Sequence, residues 1–354
     1  MKRRFLLRRT SPIQSRTCYN ESVALGVSLM RRRDFISLLG GAAAAWPLAA
    51  RAQTPKADYP TKPVRIIVPV AAGGGVDVMA RLLAQKLSER WNQQFVVENR
   101  PGAAGMIGSK AVIGAPPDGY TLLYTPSSLS LTVAVNKTAP YDVSKDFTPI
   151  INVAISPYAL VVHPSVPAHS LPEFIAYAKA HPGTLSFSSA GVGSASHLAG
   201  EMLKLRTGID MVHVPNKGMN PALVDLIGGQ VQAMFASVPA MLTEKSDRLR
   251  PIAMAEKKRS ALLPDLATME ESGLPDFEVA NWAGLLGPAG MDPQIVNKLH
   301  DEIVRILATP EMQERIKTLG YDMIVSTPAD FAAQLVRDVE RWREVVERAN
   351  IKAN

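Results

Sequence analysis

The chain has 354 residues, 47% of them apolar, and 39 Lys and Arg against 32 Asp and Glu give it a net charge of +7. The excess is local: residues 1–52 hold 10 of the basic and 2 of the acidic residues, so the other 302 carry 29 against 30, a net charge of −1. That near-neutrality argues against a nucleic-acid partner, and the one cysteine, Cys18, lies in the basic segment, which excludes disulfides and thiolate metal sites from the remainder.

The segment "MRRRDFISLLGGAAAAWPLAARAQ" has three arginines, a short apolar and Ala-rich stretch, and Ala50-Arg51-Ala52 as a cleavage signal. This is the pattern of an export signal cut near Ala52-Gln53, and the apolar stretch is shorter than the ~20 residues a spanning helix needs. Arg32-Arg33-Asp34-Phe35-Ile36 fits a twin-arginine pattern, but Arg31 stands where Ser or Thr is usual, so Sec and Tat export both remain open. Met30 directly precedes the arginines and is the expected true start, with 1–29 an upstream extension. No cysteine stands at the cleavage point to take a lipid anchor. A periplasmic location follows from this reading.

Beyond residue 53 the elements alternate. Residues 64–70 form a continuous apolar run, the mark of a strand covered on both faces, and Asp77 is placed to cap a helix whose Met79, Leu83, Leu87 and Trp91 recur every four residues. A strand at 95–98, a turn at 102–105, a helix at 106–115 and a strand at 121–124 complete a βαβαβ pattern, which implies a parallel sheet. Strands at 150–153 and 158–162 flank Ser156-Pro157. A second alternating series follows: helices at 171–180, 194–207, 221–227 and 239–245, and strands at 185–188, 211–214 and 233–237. The tail beyond Asn281 reads as largely helical, ending in a helix opened by Thr327-Pro328-Ala329-Asp330 and striped by Phe331, Leu335, Val339, Trp342 and Val346.

Three stretches set small residues directly before a helix: "AAGGGVD", "NRPGAAGMIG" and "SSAGVGSASH". Bare amides at such turns, with a helix N-terminus behind them, favour an anion, and in open α/β sheets ligands bind where these turns collect. A nucleotide is disfavoured, because no Lys-Ser/Thr follows the glycines and "GAAGMIG" has the wrong spacing for a dinucleotide fingerprint. A hydrolase built on Ser194 and His197 lacks a nucleophile elbow and a recognisable third group, so helix capping by Ser194 and packing by His197 fit better. The six histidines never take a metal-binding spacing. No metal, cofactor or catalytic residue is therefore expected.

The chain resembles the periplasmic solute-binding receptors of tripartite tricarboxylate transporters, also called Bordetella uptake gene proteins. The likeness rests on "YPTKPVRIIVPVAAGGGVD", "VVENRPGAAGMIG", "PPDGYTLLY", "YDVSKDFTPI" and "HVPNKGMNPALVDLIGGQVQAMF", long motifs in the right order over nearly the whole chain. It implies an α/β, type II periplasmic-binding-protein fold: two α/β lobes joined by two crossing strands, lobe 1 from 53–155 and 279–354, lobe 2 from 156–278, hinged near Ser156 and Asn281. Its ligand loops fall on Val70, Ala71, Ala72, Gly73, Gly74 and Asp77, on Thr125, Ser127 and Ser128, and on Ser189, Gly191, Gly193 and Ser194, with Asn216 alongside.

The implied function is capture of a small organic carboxylate (a di- or tricarboxylate, or an aromatic or amino acid) by a monomeric receptor that delivers it to membrane permease subunits. A sensor feeding a signalling kinase and a hydrolase using Ser194 and His197 are the alternatives. Val70 and Ala72 depart from the family's usual Pro-Phe-x-x-Gly-Gly, Asn216 replaces a usual tyrosine, and Ala236 stands where aspartate is common. Loss of that aspartate favours a plain carboxylate over an amino acid.

Overall fold

The computed structural model describes residues 59–351 apart from Lys245. The export signal, the Met30 start and Cys18 lie outside the described residues. Among these residues no helix is long and apolar enough to cross a membrane.

The first half opens with β1 (Val64–Val68), α1 (Gly75–Trp91), β2 (Phe95–Asn99), a single 3-10 turn (Ala103–Gly105), α2 (Met106–Ile113), β3 (Thr121–Pro126) and α3 (Ser128–Val135). The long β4 (Phe147–Val162) then leads into α4 (Leu171–Ala180), β5 (Leu185–Ser189), α5 (Ala195–Thr207), β6 (Met211–Pro215), α6 (Met219–Ile227), β7 (Ala233–Ser237), α7 (Val238–Glu244) and β8 (Arg250–Met254). Last come β9 (Ala280–Pro288), α8 (Pro293–Leu307), α9 (Pro310–Thr318), β10 (Asp322–Met323) and α10 (Pro328–Arg348).

The strands join in the order β2-β1-β3-β9-β4-β7-β5-β6, with β8 and β10 also on β4. β1 pairs in parallel with β2 and β3, and β5 with β6 and β7, so each half repeats a parallel α/β unit. Two antiparallel strands connect them. β4 pairs β9 as far as Pro157 and takes up β7 from Tyr158 onward, while Val279, just before β9, donates to Ala255 beyond β8. The fold is thus α/β, two halves joined by two crossing strands.

Pro157 does not divide β4 into the two expected strands. Its missing N–H falls where the strand changes partner, so no ladder bond is lost there, and bulges at 149–151 and 152–154 absorb the twist. The tail beyond Asn281 is not mainly helical at its start: β9 lies centrally between β3 and β4. Its Gly284 weakens the strand pattern in the sequence, yet a Cβ there would sit 2.5 Å from the Phe331 ring and 2.9 Å from the Ile151 carbonyl, so close packing demands glycine. α3 also had no helix signature, since Ser-Leu-Ser-Leu-Thr-Val-Ala-Val alternates with a period of two.

Apolar side chains cover both faces of each half. Val64, Ile66 and Val68 pack with Met79, Leu83 and Leu87 of α1 and Leu299 and Ile303 of α8, while Ile67 and Leu123 meet Phe331 and Leu335 across the sheet. In the second half Phe187, Leu198, Leu203 and Phe235 form the larger core. The far end of α10 adds Trp342, Val345 and Val346 to that core, so one helix is packed into both halves. Thr327 caps it by accepting from Asp330 N–H, as its sequence foretold.

Candidate ligand-binding cleft

β1 is buried and ends at Val68, after which the backbone turns through Gly73, whose φ of +88° suits glycine. The helix that follows is capped by the backbone of Gly74, not by Asp77. Asp77 lies in the first turn of α1 and reaches back beneath the loop. Its carboxylate accepts from Gly73 N–H (2.9 Å), Arg81 Nε (3.1 Å) and Asn99 Nδ2 (2.8 Å), and Asn99 Nδ2 also donates to the Val70 carbonyl (3.1 Å). Burial pushes the Asp77 carboxyl up, but the bonds from Arg81, Gly73 and Asn99 outweigh this and hold it below the usual range. Asp77 is 2% exposed, a brace for the loop and not part of the cleft wall.

The brace consumes one amide. Among the described residues, the N–H groups of Ala71, Ala72, Gly74, Gly75 and Val76 have no internal acceptor. The turn from β3 into α3 behaves similarly: Ser127 Oγ donates to Asn281 Oδ1 (2.8 Å) and no side chain caps the helix. Thr125 is buried within β3, its hydroxyl turned to the Pro126 carbonyl.

The turn from β5 into α5 is tied differently. Ala190 N–H donates to Ser196 Oγ (2.9 Å), Gly191 N–H to Ser189 Oγ (3.1 Å) and Gly193 N–H to His197 Nδ1 (3.0 Å). Ser194 caps α5 by accepting from His197 N–H (3.3 Å) and donates its own hydroxyl to the Gly191 carbonyl (2.7 Å). Below the turn His197 stacks on His213, ring centroids 3.8 Å apart, and His213 Nε2 lies 2.7 Å from Ser189 Oγ. Burial lowers both imidazoles to about 4, helped for His197 by His213 and for both by Lys204. His197 Nδ1 is occupied by the loop amide, so it cannot draw a proton from Ser194.

Between these turns lies a cleft of about 1070 Å³. Of the residues the sequence singled out, Val70, Ala71, Ala72, Gly74, Ser127, Ser128, Gly191, Gly193, Ser194 and Asn216 line it; buried Asp77, Thr125 and Ser189 stand behind it, and exposed Gly73 is not part of its wall. Sequence reasoning missed, among others, Met106, Leu131, Val135, Tyr158 and Asn281, which also line the wall. Leu131 and Val135 depend on α3, Tyr158 and Asn281 on the crossing strands, and none of these carried a local signal. Ala236 is fully buried in the core formed with Ala159 and Met234, away from the cleft, so it does not discriminate between ligands as its position in the sequence had implied.

The N-termini of α1, α2, α3 and α5 all open into this cleft through Val76, Met106, Ser128 and Ala195. None of its lining residues is Asp, Glu, Lys, Arg or His. Its positive potential therefore comes from helix ends and peptide amides, an arrangement suited to an anion without a counter-cation.

Residues 79–351 match the model of the family described as "Tripartite tricarboxylate transporter family receptor". Protein BugT of Bordetella pertussis is 37% identical over 297 residues, covering 83% of this chain and 91% of that protein. Two solved structures are also similar: R. palustris Rpa4515 with adipate (34% identity, TM-score 0.69, 83% of this chain and 99% of that one) and MatC from Rhodopseudomonas palustris with bound malate (31%, 0.65, 81% and 100%).

Proposed function

The chain belongs to the tripartite tricarboxylate transporter receptor family, and from that premise we propose that it captures a small organic carboxylate in the cleft and hands it to the membrane permease of such a transporter. The carrying observation is the cleft itself, where four helix N-termini converge and no Asp, Glu, Lys, Arg or His lines the wall. Adipate in Rpa4515 and malate in MatC support a carboxylate as the ligand class.

In this reading the receptor works in the periplasm as a monomer and catalyses nothing. The lobes are 53–155 with 279–354, and 156–278, turning about β4 and β9. Val70, Ala71, Ala72, Gly73 and Gly74 form the anion loop, with Asp77 holding it from behind. Thr125, Ser127 and Ser128 shape the neighbouring turn, and Ser189, Gly191, Gly193, Ser194 and Asn216 face them from the other lobe. Closing the lobes removes water from the carboxylate, and each charge-assisted bond it gains contributes about 1.5–3 kcal/mol net.

A thermal-shift screen of mono-, di- and tricarboxylates tests the first step: a ligand at 100-fold its Kd adds about 2.7 kcal/mol to stability. A screen with no shift at millimolar concentration would refute carboxylate capture. Delivery to a permease is tested by deleting the gene, which should abolish uptake of the acid identified.

A further inference from the structure

The two walls of the cleft offer different chemistry. On the first-half side, the amides of Ala71, Ala72, Gly74 and Val76 lack internal acceptors and the end of α3 is uncapped. A carboxylate placed there meets donors. On the opposite side, the amides of Ala190, Gly191 and Gly193 are already bonded to Ser196, Ser189 and His197, and in this turn only those of Val192, Ala195 and Ser196 lack an internal acceptor among the described residues. The tip of that turn instead presents Val192, 42% exposed, with Leu131 and Val135 of α3 beside it.

Asn216 is the polar group best placed on this side, and its orientation is fixed. Its Nδ2 donates to Asp225 Oδ2 (2.8 Å), and a carboxylate can only accept, so the amide nitrogen must face Asp225. Among the described residues nothing donates to Oδ1. Asn216 therefore keeps a free acceptor in Oδ1 beside its second Nδ2 hydrogen, and a ligand O–H or N–H can donate to it. An ammonium group would enter a cleft lined by no carboxylate, losing its hydration without a counter-charge. A hydroxyl pays a smaller desolvation cost.

We infer that the ligand is a hydroxy-monocarboxylate with an apolar body: its one carboxylate lies on the amides before α1 and α3, its body against Leu131, Val135 and Val192, and its far hydroxyl donates to Asn216 Oδ1. The inference rests on the carboxylate-receptor reading above and narrows it to one end-group pattern.

Calorimetric titration with two length-matched sets tests it: 6-hydroxyhexanoate, adipate, 6-aminohexanoate and hexanoate, then 4-hydroxybenzoate against benzene-1,4-dicarboxylate. In the set that binds, the hydroxy acid should bind at least tenfold tighter than the dicarboxylate and the amino acid. Asn216→Leu should erase at least fivefold of the hydroxy acid's advantage over its unsubstituted parent acid, hexanoate or benzoate, both measured on the same variant. Equal or tighter binding of the dicarboxylate or amino acid overturns the inference and leaves the receptor reading intact. An unchanged advantage in Asn216→Leu overturns it as well. Failure of every acid in both sets, together with a thermal-shift screen showing no response, refutes the receptor reading and the inference with it.

Discussion

The turn after β1 and the turn after β5 share one signature, small residues between a buried strand and a helix, yet they treat their amides in opposite ways. A single carboxylate, Asp77, braces the first from beneath and takes only the Gly73 amide. In the second, Ser189, Ser196 and His197 each take one. Glycine content therefore says that a turn brings bare backbone forward, and the acceptors around it decide how much of that backbone remains free for a ligand. Ser and His packed close to a glycine turn take up the amides at 190, 191 and 193 and leave fewer for a ligand. Asp77 and His197 each hold a glycine amide four residues back, and it is the added serines at 189 and 196 that take two further amides of the second turn.

The sharpest way to break this contrast is Asp77→Ala. It removes three bonds to a buried carboxylate and should cost about 3 kcal/mol in urea denaturation, with ligand affinity falling at least tenfold. Gly191→Ala attacks the other turn. At φ +128°, with a Cβ only 3.1 Å from the Asn216 carbonyl, it should cost about 2 kcal/mol by the same measurement.

Acid should weaken the second turn selectively. His197 and His213 take up protons near pH 6.5 in the unfolded chain but near 4 in the fold, so the stability they supply is complete above about pH 6.5 and is lost as pH falls toward 4. A urea midpoint that stays level over that interval would contradict the buried, neutral pair. Ser194→Ala removes the α5 cap and should cost about 1 kcal/mol. The smallest stability effect belongs to Gly74→Ala, at φ −75° with its nearest neighbour 3.9 Å from a Cβ; stability should stay within about 0.5 kcal/mol. Its ligand affinity should nevertheless drop if the ligand rests on those amides, which titration reads directly.

Much of the fold was legible because its units are local. The apolar run of β1, the four-residue stripe of α1 and the Thr327 cap of α10 each carry their own pattern. What the sequence hid depends on distant partners. Gly284 makes β9 look broken until Phe331 is packed upon it, Pro157 looks like a strand end until the change of partner is seen, and the alternating residues of α3 carry the period of a strand, not of a helix. The site followed the same division. Its glycine loops were visible, whereas Leu131, Val135, Tyr158 and Asn281 reach the cleft only through those hidden elements, and Asp77 and Ala236 were misread because burial has no local signature.

Pro157 has one more consequence. A residue that cannot donate sits where β4 exchanges one neighbour for another, so the exchange leaves no backbone N–H without a partner there. The course of β4 from one sheet into the next is thus set at a residue whose ring fixes φ and which has no donor to lose.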